Sequence, residues 1–146
     1  MKVFFVAAVL CALSSAASAQ IMEMNGTWKL STERTLGPAP KEETLVYTIK
    51  PGEQAYTMDS IEADGRKGHT EWSAKYDGHD QPTAGAPGVT VSLQKLDRNT
   101  ELVTNKRDGK VTSTYTRVLV DEGKTIMSIG RNANNKVIWV RVFEKQ

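Results

Sequence analysis

The run ELVTNKRDGKVTSTYTRVLVDEGKTIMSIGRNANNKVIWVRVFEK, residues 101–145, decides the fold. Its stretches of alternating character are cut by turn-forming residues at Asp108-Gly109, Asp121-Glu122-Gly123 and Asn132-Ala133-Asn134-Asn135. Period-two alternation puts successive side chains on opposite faces of a strand. An Asp-Gly pair between two such stretches marks a hairpin, because both residues tolerate the positive φ that a tight turn requires. The segment therefore predicts strands over 101–106, 111–120, 125–131 and 136–145, each following the last directly.

Working toward the N-terminus, the same pattern predicts strands near 26–31, 43–50, 55–62, 69–76 and 89–96, with turns at Asp64-Gly65, Asp77-Gly78 and Asp97-Arg98-Asn99. That makes about nine consecutive strands, and no window carries an amphipathic helix of about three turns. Gly37-Pro38-Ala39-Pro40 reads as an extended connector, since its prolines lack donors and hold the backbone away from the helical region. The stretch 81–88, with Pro82, Gly85, Pro87 and Gly88, reads as the one long irregular loop. The expected fold class is all-β, an antiparallel up-and-down barrel, because closure removes the unpaired edges that a row of hairpins leaves. A two-sheet sandwich is the rival, but it usually needs longer crossovers than these short links provide.

The first residues are of a different kind. Lys2 precedes an uncharged apolar run from Val3 to about Leu13, and Ala17-Ser18-Ala19 follows. This is the pattern of a secretory signal peptide over 1–19, cut between Ala19 and Gln20, which leaves 20–146 as one barrel domain. The apolar run is shorter than the about 20 residues a spanning helix needs, and nothing later is apolar enough, so no membrane span is expected. The expected location is the periplasm or the exterior. Cys11, the only cysteine, lies in the leader, so the barrel must be held by its core without disulfides.

Function classes narrow by what the residues offer. The chain carries a formal net charge of +2, far from the clustered basic excess of a nucleic-acid-binding surface, and no nucleic-acid partner is expected. Its densest basic spot, Lys106, Arg107 and Lys110, surrounds a turn and reads as a solvated hairpin tip. Phosphate-loop, zinc-protease, Cys-x-x-Cys and nucleophile-elbow motifs are missing. His79, Asp77 and Asp80 share one polar turn without metal-ligand spacing, and no metal or other cofactor is expected. The pairs Glu42-Glu43 and Asp121-Glu122 are neighbours that point to opposite faces, and they read as solvated rather than catalytic. With no nucleophile–base pair to name, the chain is not expected to be an enzyme. Asn25-Gly26-Thr27 fits a glycosylation acceptor, should the host modify exported proteins there.

Two arginines stand out. In the last strand Val137, Trp139, Arg141 and Phe143 share a face, and in the long strand before it Ser113, Tyr115, Arg117 and Leu119 do the same. An arginine among apolar and aromatic neighbours is costly to bury without an anionic partner, and a ligand carboxylate can be that partner. The alternative places both on the outer wall with their heads in water.

Asn25-Gly26-Thr27-Trp28-Lys29-Leu30 resembles the opening strand of the fatty-acid-binding-protein and lipocalin superfamily, whose Gly-x-Trp element starts the barrel and packs its Trp across the closed end. Leu102-Val103 through Asp108-Gly109-Lys110, then Arg117-Val118-Leu119-Val120-Asp121, Gly123-Lys124 and Arg141-Val142-Phe143-Glu144-Lys145, resemble the fatty-acid-binding proteins in particular. The resemblance implies a lipocalin-like exported bacterial protein with carboxylate-holding arginines at Arg117 and Arg141, and Tyr115, Trp139 and Phe143, which share their faces, are the further candidate ligand-binding residues. Phe143 stands where that family has a tyrosine, and 37–40 stands where it has a two-helix lid. Two functions follow as expectations: an exported binding protein for a small hydrophobic or amphipathic ligand such as a fatty acid, or a cell-envelope interaction module whose barrel is filled by side chains. A carrier should turn both arginines toward a cavity of roughly 300 Å³ or more, whereas arginines on the outer wall, or an interior without such a cavity, favour the filled module.

Overall fold

A computed structural model describes residues 24–146. The signal peptide assigned to 1–19, and its cleavage point, lie outside the described residues. Among the described residues ten strands form one antiparallel sheet: β1 Gly26–Leu30, β2 Glu42–Lys50, β3 Glu53–Ile61, β4 Lys67–Lys75, β5 Gln81–Pro82, β6 Val89–Lys95, β7 Thr100–Arg107, β8 Lys110–Val120, β9 Thr125–Asn132 and β10 Val137–Lys145. Their order around the wall is β4-β3-β2-β1-β10-β9-β8-β7-β6-β5. Every step is between sequence neighbours except β1 to β10, where Trp28 faces Lys145 and Leu30 faces Phe143. That contact between the first and last strands curls the meander into a barrel. The seam between β4 and β6 lacks a full ladder and is spanned by Gly78 N–H to the Leu93 carbonyl and Ala84 N–H to the Glu71 carbonyl.

The strand count exceeds the expected nine by β5, two residues inside the stretch read as a loop. Pro82 and so short a run leave no alternation to detect. Elsewhere turn chemistry set the boundaries. Asp108 and Gly109 have φ of 50° and 77°, as a type I′ hairpin demands.

The barrel has two unlike ends. At one lie Met24, the Pro51-Gly52 turn, 96–99, 121–124 and the C-terminus, and here the apolar core is dense. Trp28 is fully buried and donates from Nε1 to the Met24 carbonyl at 2.8 Å, with the Lys145 ammonium 5.3 Å from its ring centre. Tyr47, Ile49, Leu93, Leu119, Ile126 and Phe143 complete that plug. At the other end lie 37–41, 62–66, 83–88, 108–109 and 133–136. The short connector there takes the place of any helical lid. Leu36 pairs with Val140 in both directions, and a Cβ on Gly37 would stand 2.8 Å from the Ile138 carbonyl oxygen, so the connector lies directly on β10.

Candidate functional site

Period-two alternation on β8 and β10 carries Arg117 and Arg141 inward at mid-height, because Leu119, Ile126 and Phe143 hold the same face in the core. The outer-wall alternative is thereby removed. The register Arg117↔Ser128↔Arg141 sets the two arginines on either side of one strand, with only the small Ser128 between them. Next toward the open end comes Tyr115↔Gly130↔Trp139. The Trp139 indole lies over Gly130, where a Cβ would meet it at 2.2 Å, and reaches Tyr115 with ring centres 5.3 Å apart.

These residues surround a cavity of about 120 Å³, to which Glu43, Leu45, Tyr56 and Met58 add the opposite wall. All five residues singled out in the sequence, Tyr115, Arg117, Trp139, Arg141 and Phe143, line it. It is smaller than the roughly 300 Å³ of a typical ligand pocket, and at about 30 Å³ per water it has room for about four. A larger groove of about 510 Å³ lies outside the barrel, between the outer faces of β2–β4 and residues 81–84. Glu43, Glu101, Arg117 and Arg141 do not line it, and Tyr56 is the one residue it shares with the interior cavity.

Each arginine already has a counter-ion. Arg117 donates to Glu101 at 3.2 Å, and both are almost fully buried. Arg141 donates to Glu43, with the carboxylate buried and the guanidinium nearly so. Rings frame both cations: Tyr56 stands 4.6 Å and Tyr47 5.5 Å from the Arg117 guanidinium, and Trp139 4.5 Å from that of Arg141. Even so, Nε of each arginine is buried without an acceptor among the described residues.

Burial governs the protonation balance. It raises the Glu43 carboxyl, against the pull of Arg141 and Arg117, and it raises Glu101 against Arg117. For Arg117, burial works against the charge, but the Glu101 carboxylate counters it and the net movement is upward. Arg117 therefore remains a cation at every physiological pH.

Glu43 corrects the reading of Glu42-Glu43 as a solvated pair: Glu42 is exposed and Glu43 is buried. Adjacent residues do point to opposite faces, and one of those faces is the interior. The signal was present, since Glu43 falls in step with Leu45, Tyr47 and Ile49. Glu101 is likewise in step with Val103. At the polar turn, His79 Nδ1 lies 3.2 Å from an Asp77 carboxylate oxygen, and Asp80 pairs with Lys106.

No family model matches the chain, and no curated protein matches its sequence at a significant level. Solved structures do match in fold. The crystal structure of wild-type fluorescent protein UnaG superposes with a TM-score of 0.62 at 18% identity, over 86% of this chain and 99% of that one. Zebrafish ileal bile acid-binding protein, crystallised with cholic acid, superposes with a TM-score of 0.55 at 10% identity, over 85% of this chain and 99% of that one. The chain thus shares the barrel fold of these two proteins.

Proposed function

We propose that this chain binds a small apolar or amphipathic ligand whose acceptor headgroup sits between Arg117 and Arg141 while its apolar part extends past Tyr115, Trp139 and Met58 toward the open end. One observation carries the reading: two interior arginines on one cavity each keep a buried Nε with no acceptor. Buried donors are ordinarily satisfied, and an unsatisfied one costs more than a satisfied one returns. Neither Nε presents surface to the cavity as it stands, so a carboxylate or carbonyl oxygen there would meet that need once the guanidinium groups turned toward it. The cavity fits a headgroup and a few carbons, so a longer ligand needs Trp139 to swing off Gly130. The zebrafish bile acid-binding protein, which shares this fold, is complexed with cholic acid, and that supports such a role. We read the chain as a binding protein rather than an enzyme, and the leader at 1–19 supports export.

A specific observation also favours the second reading. Glu43 and Glu101 already neutralise the arginines, and the cavity is small, as in a barrel filled for stability alone. Titration with 11-(dansylamino)undecanoic acid and its uncharged methyl ester separates the two. Charge-assisted hydrogen bonds are worth about 1.5–3 kcal/mol, so Arg141→Gln should weaken the acid by roughly tenfold or more and the ester by markedly less. Equal losses for acid and ester point to damage of the barrel. No binding of either by the wild type rejects the carrier reading in favour of the filled module.

A further inference from the structure

Among the described residues the interior holds four charged groups, Arg117, Arg141, Glu43 and Glu101, and they sum to zero. A ligand that arrives as a carboxylate makes this enclosed set net negative, which a poorly solvated interior resists strongly. Neutrality returns if one of the two glutamates takes a proton.

The two are not equivalent. Glu101 is fully buried, accepts from Arg117, has the Tyr76 hydroxyl 3.5 Å away, and is not on the cavity wall. Glu43 lines the cavity, and Arg141 is its one hydrogen-bond donor among the described residues. A headgroup that engages Arg141 competes for the cation that keeps Glu43 ionised. The groups facing Glu43 act in both directions: Arg141 of β10 and Arg117 of β8 lower it, and Glu62, just beyond β3, raises it. Tyr56 of β3 and Tyr47 of β2 are neutral phenols, since burial raises both. Ser60 faces Glu43 across the β2–β3 ladder, and β1 contributes the apolar Leu30.

We propose that the protein takes up a carboxylate ligand together with one proton, and that Glu43 receives it. The inference rests on the binding role proposed above. In the step, the ligand carboxylate accepts from the Arg141 guanidinium, and a Glu43 carboxylate oxygen gains a proton from solution. The resulting O–H donates to the ligand carboxylate. One anion and one proton enter, and no other bond is made or broken. Glu43 thus sets ligand class by pH: neutral ligands bind alike across the range, and carboxylates bind more tightly as pH falls.

The test uses calorimetric titration of the protein with 11-(dansylamino)undecanoic acid and with its methyl ester at pH 8, in phosphate and in Tris, whose different ionisation heats reveal protons exchanged. Wild type should take up close to one proton per acid bound and none per ester. Its affinity for the acid should fall about tenfold per pH unit from pH 7 to 9. Glu43→Gln should take up none and bind the acid at least about tenfold more tightly at pH 8. The wild-type measurement stands without the variant, should Glu43→Gln fold poorly. Acid binding by the wild type with no proton uptake and a flat pH profile overturns the role of Glu43 and leaves the carrier reading intact. Failure of both probes to bind overturns both.

Discussion

Glu101 and Arg117 meet at 3.2 Å with almost no exposed surface, which makes their contribution to stability asymmetric. Removing one partner strands a buried charge, whereas replacing both with apolar residues of similar volume removes the desolvation cost along with the attraction. Glu101→Gln and Arg117→Met should each lower unfolding free energy by about 3–5 kcal/mol, and the double variant Glu101→Leu/Arg117→Met should recover most of it. Urea unfolding measures all three, and additive losses in the double variant would show that the pair acts through something other than its buried charges. The same residues mark where sequence reading stops. Alternation put Arg117 and Arg141 on faces shared with aromatic and aliphatic side chains, but the same pattern suits a stem lying on the outer wall. The choice depends on carboxylates from β2 and β7, distant in sequence, which no local pattern ties to either arginine.

Turns are the elements that local chemistry specifies most fully, and here they work in opposite directions. Gly109 has φ of 77° and nothing within 4 Å of where a Cβ would sit, so Gly109→Ala carries a purely backbone cost. At about 1–2 kcal/mol for a non-glycine residue in the left-handed region, that substitution should lower stability by this amount. At Asp121-Glu122-Gly123 three successive residues have φ of 51°, 54° and 82°, two of them without glycine's freedom. Glu122→Gly should therefore raise stability by up to about 1 kcal/mol, the relief exceeding the added flexibility of the unfolded chain. Thermal melts of the two variants should move in opposite directions, and a fall for both would mean that Glu122 makes a contact worth more than its strain. Strand boundaries were legible to within a residue or two because turns like these punctuate them, as with 125–131 against the observed Thr125–Asn132. β5 was not legible, because its two residues owe their strand conformation to pairing with Val91 and Thr90.

At the scale of the whole barrel the wall is uneven. Seven antiparallel steps from β4 around to β7, and the next to β6, are laced by ladders, such as the nine paired positions between β2 and β3, with single register shifts at Val137/Trp139 and at Asn105/Lys106. Across the seam from β4 to β6 there are the Asp77↔Gln94 bridge and the backbone bonds from Gly78 and Ala84. Closure itself was expected from short links and the need to remove edges, but the position of the weak step was not, since it falls in 76–88, where alternation gives out. Opening a step with few bonds exposes little surface, so it costs less than global unfolding and depends weakly on denaturant. In native-state hydrogen exchange, the Gly78 and Ala84 amides should exchange through such local opening, with free energies well below that of global unfolding and little response to added urea. Leu102 and Val103, in the doubly laced β7, should exchange only through global unfolding, with a steep urea dependence. Equal free energies and equal urea slopes at the two places would mean that the seam is closed by side-chain packing as firmly as by a ladder.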